Sequence, residues 1–144
     1  MVIAGRVRNE NRFLKYWLPL IAWCALIFTQ SAFATPDIEP PWPFFDKTAH
    51  TAIYGLLGLL LCRALNTLAG WQSRTIKLWA TATVLTALYG LTDEWHQSFV
   101  PARHAEAADL LADLLGGLLG SGLYLLVGKL NISPRTRRKS FGAE

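Results

Sequence analysis

The chain is short of charge. Among 144 residues it has 14 basic and 10 acidic side chains, and long tracts carry none at all. Cysteine is nearly absent too. Cys24 and Cys62 fall in expected helices at opposite ends of the lipid depth, which argues against a disulfide and reads them as small core residues. No serine, cysteine or threonine stands in a recognised nucleophile setting, so any hydrolysis would have to use water as the nucleophile. HxxxH and HExxH are both missing, which removes the standard zinc metallohydrolase signatures. No inverted repeat is visible, so an alternating-access transporter would have to be built from several copies.

What is present is hydrophobicity, at 52% of residues, gathered into four stretches near residues 13 to 33, 48 to 68, 76 to 96 and 107 to 128. A bilayer-spanning helix needs about 20 mostly apolar residues, and backbone groups cannot be left unpaired in lipid. The expected fold is therefore all-α: a four-helix polytopic membrane bundle in a single domain, followed by a basic tail over residues 129 to 144. The third stretch is the short one. It has only about 17 apolar residues before Asp93, so it spans a thin region or carries its acids into the interface.

Charge placement predicts the orientation. Arg6, Arg8, Arg12 and Lys15 precede the first stretch, Arg63, Arg74 and Lys77 follow the second, and the tail holds Lys129, Arg135, Arg137, Arg138 and Lys139. The other two connections and their flanks carry Asp37, Glu39, Asp46, Asp93, Glu94, Glu106, Asp109 and Asp113 against Lys47 and Arg103 alone. Positive loops stay inside, which puts both termini in the cytoplasm and the acidic side outward. The tail segment RTRRK reads as a topology signal with attraction to anionic membrane lipid; a nucleic-acid partner is not expected. The first stretch also resembles a signal peptide with an Ala-x-Ala site at Ala32 to Ala34, although its core is longer than usual and is expected to stay uncleaved.

Several polar residues recur at helical spacing on the acidic side. The connection TPDIEPPWPFFDK is too rich in proline to be helical and sets Trp42, Phe44 and Phe45 at headgroup level. Asp46 can cap or begin the second helix. Asp46 and His50 share a face, extended by Tyr54, with Gly55 and Gly58 permitting close contact nearby. Asp93 shares a face with His96 and Gln97, while Glu94 points about 100° away toward the flank or a neighbouring helix. In DLLADLLGGLLG, Asp109 and Asp113 are followed at the same spacing by Gly116 and Gly120, so both acids face the packed interior.

These residues form one expected cluster. Asp93 and His96 should approach Asp46 or His50, and Arg103 should reach back toward Asp109 or Glu94. Taken singly each has a bland reading: an interfacial acid, an arginine on lipid phosphate, a solvated His104. Together they demand pairing, metal coordination or protonation.

FTQS, DKTAHTAIYGLLGLLL and TDEWHQSFVPARHAEAADLLADLLGGLLG make the chain similar to the VanZ-like family of small bacterial membrane proteins from about residue 17 to 127. The family commonly has Gly where Ala102 stands and Asn where Asp113 stands, so this chain adds a carboxylate at depth. The resemblance implies a four-helix protein of the cell envelope. The family's namesake is associated with low-level resistance to the glycopeptide teicoplanin.

Three functions follow. An enzyme or binding site for a lipid-linked or phosphorylated glycan precursor would use Asp93, Glu94 and His96 to move a proton, with Asp46, Lys47, His50, Gln97, Arg103, Asp109 and Asp113 lining the pocket. Zinc could be held through His50, His96 and carboxylates; no cofactor is otherwise assigned. A non-enzymatic envelope transporter or structural partner, linked to glycopeptide tolerance, would use the glycines of the fourth helix as a homo-oligomer interface.

Overall fold

Four helices carry the fold in a computed structural model that describes residues 12–33, 40–101, 103 and 106–131. They are α1 (Phe13–Ser31), α2 (Phe45–Leu65), α3 (Thr75–Gln97) and α4 (Ala107–Asn131). No strand occurs among the described residues, and the expected all-α class is the observed one. Arg6, Arg8, the candidate cleavage site at Ala34, Asp37, Glu39, Ala102, His104 and the basic tail from residue 132 lie outside the described residues.

The helices alternate in direction. Trp23 Nε1 donates to the Ile53 carbonyl and Trp17 Nε1 to Thr67, so α1 and α2 run antiparallel. Tyr54 meets Asp93 and Cys62 meets Leu78 between α2 and α3, again antiparallel. Gly90 lies against Asp113, Thr86 against Gly117 and Thr83 against Ser121, so α3 and α4 are antiparallel as well. Every polar contact at the end of α1, the start of α2, the end of α3 and the start of α4 therefore gathers at one end of the bundle.

α1, α2 and α4 are long and apolar enough to cross a membrane. α3 is as long but carries Lys77, Asp93, Glu94 and several threonines; it turns Thr83, Thr86, Asp93 and Glu94 inward and leaves Lys77 exposed. α1 opens with a wider π turn over Phe13–Trp17. Pro19 lies just beyond it and has no N–H for the Lys15 carbonyl, so a strict α-helical ladder could not run through that turn.

In lipid the outer face must be apolar, and helices associate through close packing rather than through expulsion of water. α4 shows both rules in one helix. Leu111, Leu114, Leu115, Leu119, Leu123 and Leu126 point outward, while Asp109, Ala112, Asp113, Gly116, Gly117, Gly120 and Ser121 are buried. The inner stripe is small because α2 lies against it backbone to backbone. A Cβ at Gly58 would stand 2.8 Å from the Gly117 carbonyl oxygen, and one at Gly120 would overlap that of Gly55. The glycines thus act within the chain, and the face left for another copy is leucine.

Two apolar clusters complete the core. Leu20, Ile27, Tyr54, Leu57 and Leu60 join α1 to α2, and Cys62, Leu65, Leu78 and Ala82 fill the opposite end between α2 and α3. Cys24 and Cys62 are both free thiols, as their separate positions require.

Candidate functional site

The polar end contains two arrangements of charge. The outer one is built on Lys47, from the first turn of α2. Its ammonium donates to Asp46 Oδ2 at 3.0 Å and Glu106 Oε2 at 2.8 Å, and to Asp109 Oδ1. An ammonium has three N–H groups, and each has found a carboxylate. Asp46 lies in the first turn of α2, at the positive end of its dipole, and makes no capping bond: of the two expected roles, capping or beginning the helix, it has the second.

The inner arrangement lies about one turn deeper. His50 Nδ1 is 2.9 Å from Asp113 Oδ1, and its ring stacks on Tyr54 with planes 5° apart. His50 Nε2 points back toward the outer group, 4.0 Å from both Asp46 Oδ1 and Asp109 Oδ1, a separation suited to a bridging water rather than a direct bond. Tyr54 donates its hydroxyl to Asp93 Oδ2 at 3.0 Å, and Gln97 Nε2 donates to the same oxygen at 3.0 Å. Glu94 Oε2 accepts the Glu106 backbone N–H at 3.3 Å.

These bonds leave a remainder. Asp93 Oδ1, Glu94 Oε1 and Asp113 Oδ2 are buried with no hydrogen-bond partner. Asp113 is fully buried, and its free oxygen occupies space that only the missing side chain of Gly90 provides, since a Cβ there would lie 2.5 Å from it. Gly90 and Glu94 are one turn apart on α3, so Asp113 fits against a bare stretch of that helix. Among the described residues, four buried carboxylates, Asp93, Glu94, Asp109 and Asp113, stand with Lys47, His50 and, in the cavity wall, Arg103, so acids outnumber bases at the site.

Two expected members sit elsewhere. His96 does not approach His50 or Asp46: its Nδ1 is 3.3 Å from Ser31 Oγ and its ring stacks on Phe28, both of α1, with centroids 4.5 Å apart. The reason is rotation. Turning Asp93 toward Tyr54 swings Glu94 by about 100° to meet α4 and sends His96 about 60° the other way, toward α1. His96 accordingly belongs to neither group of candidate ligands that includes His50, contrary to the expected pairing of the two histidines on zinc. Arg103 does not reach Asp109 or Glu94 either; its Nε and Nη2 donate to the carbonyls of Phe33 at 3.0 Å and Gln30 at 3.3 Å. The last carbonyls of a helix have no intrahelical donor and form the negative end of its dipole, so they attract this guanidinium.

A cavity of about 40 Å³ nevertheless joins His50, Tyr54, Asp93, Gln97, Ser31 and Arg103. It has room for about three waters, on the scale of 10–15 Å³ for each. Asp93 also borders a second space, an apolar groove of about 380 Å³ between α1 and α3 walled by Phe28, Tyr89, Trp95, His96 and Phe99. Tyr54, Ser31 and Glu106 were not singled out as site residues by sequence reasoning. Tyr54 repeats the four-residue spacing of Asp46 and His50, and Ser31 closes the FTQS segment; those were the available signals.

A profile for a family described as VanZ/LLP1 matches residues 8–128. Comparison with curated proteins gives no match. Comparison with solved structures gives none either.

Proposed function

The chain belongs to the VanZ/LLP1 family, and from that premise we propose that this membrane protein binds an amphipathic envelope ligand, of the lipid-linked glycan class, at the acidic end of its bundle. The observation that carries the reading is the position of Asp93. It lines both the cavity of about 40 Å³ shared with His50, Gln97 and Arg103 and the apolar groove of about 380 Å³, so one ligand can place a chain in the groove and a polar head against Asp93. Buried carboxylates are acceptors only, which suits the hydroxyls of a sugar. A phosphate is admitted at Arg103 in the cavity wall but repelled at Lys47, whose ammonium is already surrounded by three acids.

On this reading the positive connections lie inside, which supports placing this end at the outer face of a bacterial cytoplasmic membrane with both termini in the cytoplasm. Processing of the ligand, as distinct from binding, would fall to Asp93 and Glu94, with His96 placed to act from the groove. The experiment compares lipids retained by the wild type and by a folded Asp93→Asn variant in native membrane discs, read by mass spectrometry. Selective loss of a hydroxyl-rich lipid-linked species supports binding; identical lipid profiles overturn it. Accumulation of that species in cells expressing Glu94→Gln, against unchanged pools, separates processing from binding alone.

A second reading has its own support. In the Lys47 group each N–H of the ammonium meets a carboxylate, as a network that only holds helices together would be built. On that reading the protein is a structural or transport partner in the envelope, and a second copy would meet the leucine face of α4. Loss of partner crosslinks on Leu115→Trp or Leu119→Trp, with lipid profiles unchanged by Asp93→Asn, favours it.

A further inference from the structure

We propose that His50, Glu94 and Asp113 form a binding site for one divalent transition cation, Zn²⁺ or Mn²⁺, with water completing its shell. One imidazole nitrogen and one oxygen from each carboxylate lie within 4.8 Å of one another. A bound ion of this kind holds ligands at about 2.0–2.2 Å, hence about 3 to 4 Å apart, so the three side chains need close only slightly around it.

Proximity of acids alone would carry nothing. The independent observation is that Glu94 Oε1 and Asp113 Oδ2 are buried and unpartnered, on side chains 6% and 0% exposed. Leaving a buried carboxylate oxygen without a donor is costly, and such a group calls for a cation or a proton. No lysine or arginine fills that role among the described contacts: Lys47 is committed to Asp46, Glu106 and Asp109, and Arg103 to the carbonyls of α1.

A neighbouring set of candidate ligands shows the contrast. Asp46, His50 and Asp109 also come within 4.8 Å of one another, but there the Lys47 ammonium already supplies the positive charge. The deeper trio has the same ligand types and no such cation. His50 links the two, because its Nδ1 faces Asp113 while its Nε2 faces Asp46 and Asp109. With Nδ1 on a metal, the Nε2 proton would face two carboxylates, the usual second partner of a metal-bound imidazole. Mixed imidazole and carboxylate ligation suits Zn²⁺ and Mn²⁺ better than Mg²⁺ or Ca²⁺, which prefer oxygen throughout.

The test uses the full chain without a histidine tag, purified without chelator, loaded with ZnCl₂ or MnCl₂ and freed of unbound ion. Elemental analysis is expected to find about one equivalent per chain, with affinity lowered at least about 100-fold in Glu94→Gln and in Asp113→Asn. Should those variants fail to fold, a second measurement decides. The chain has three histidines, so Mn²⁺ bound to a His96→Ala, His104→Ala chain should still show coupling to imidazole nitrogen in pulsed paramagnetic resonance. Retention of no ion by the wild type overturns the proposal, because the spare charge is then neutralised by protons. Bound Mn²⁺ without nitrogen coupling, or ion content unchanged by either carboxylate variant, overturns it as well. None of these three outcomes bears on ligand binding at Asp93, which is read from lipids alone.

Discussion

The outer and inner charge groups at the acidic end use the same residue types about one helical turn apart, yet one is closed and the other open. Around Lys47, three carboxylates converge on three N–H groups. Around His50, three carboxylates retain an oxygen each with nothing to accept from. The difference is one of reach. A lysine stem beginning in the first turn of α2 extends to the link and to α4, whereas no cationic side chain extends to Glu94 and Asp113 among the described contacts. A saturated group can only hold helices together, while an unsaturated one in a low-dielectric setting is ready for a ligand or an ion.

The strongest blow to the closed group is Lys47→Met. It leaves Asp109 buried without its cation and should cost roughly 2–4 kcal/mol, somewhat under the usual 3–5 for a fully buried pair because Lys47 retains 30% side-chain exposure. Unfolding of the detergent-solubilised protein measures it, and a loss below about 0.5 kcal/mol would remove the structural role assigned to this group. Next in size is Gly90→Ala. The new methyl would lie 2.5 Å from Asp113 Oδ2 and 3.1 Å from its Cβ, so an overpacking cost of about 1–3 kcal/mol is expected. Asp113→Ala in the same chain should recover part of it; no recovery would place the strain elsewhere.

Smaller effects are expected inside the open group. Tyr54→Phe removes the hydroxyl donated to Asp93 Oδ2, which still receives Gln97, so a loss of about 1–2 kcal/mol should appear in the same unfolding measurement. Asp113→Asn is the sharpest comparison. The amide keeps an oxygen for His50 and removes an uncompensated charge, so stability should stay within about 1 kcal/mol of wild type or rise. A loss as large as that of Lys47→Met would show that the two groups are one structural network after all.

Much of this was legible along the chain. Asp109, Asp113, Gly116 and Gly120 fall three or four residues apart, and the helix carried all of them to its packed side. The gathering of acids at one end followed from antiparallel helices joined by short connections. The partners of His96 and Arg103 were not legible. His96 was expected opposite His50, but the face it occupies depends on how far α3 turns about its axis, and a shift of one residue moves a side chain by about 100°. Arg103 was expected to answer a carboxylate; the free carbonyls ending α1 competed for it, and a sequence does not say where a helix end will lie relative to a distant loop.

The order of hydrophobic and polar residues by itself determined four helices, their approximate spans, the polar end and the inward stripe of α4, because those follow from a fixed rise and turn per residue and from what lipid will accept. Only the tertiary structure decided that Glu94 rather than His96 joins His50 and Asp113, and that Lys47 is saturated while the deeper acids are not. Those outcomes depend on helix rotation and depth, which are set for α3 by Gly90 against Asp113 and Thr86 against Gly117, and for α2 and α4 by the backbone contact of Gly55 and Gly58 with Gly116, Gly117 and Gly120. Contacts of that kind join residues some sixty positions apart, and their strength lies in close approach rather than in any local preference of the chain.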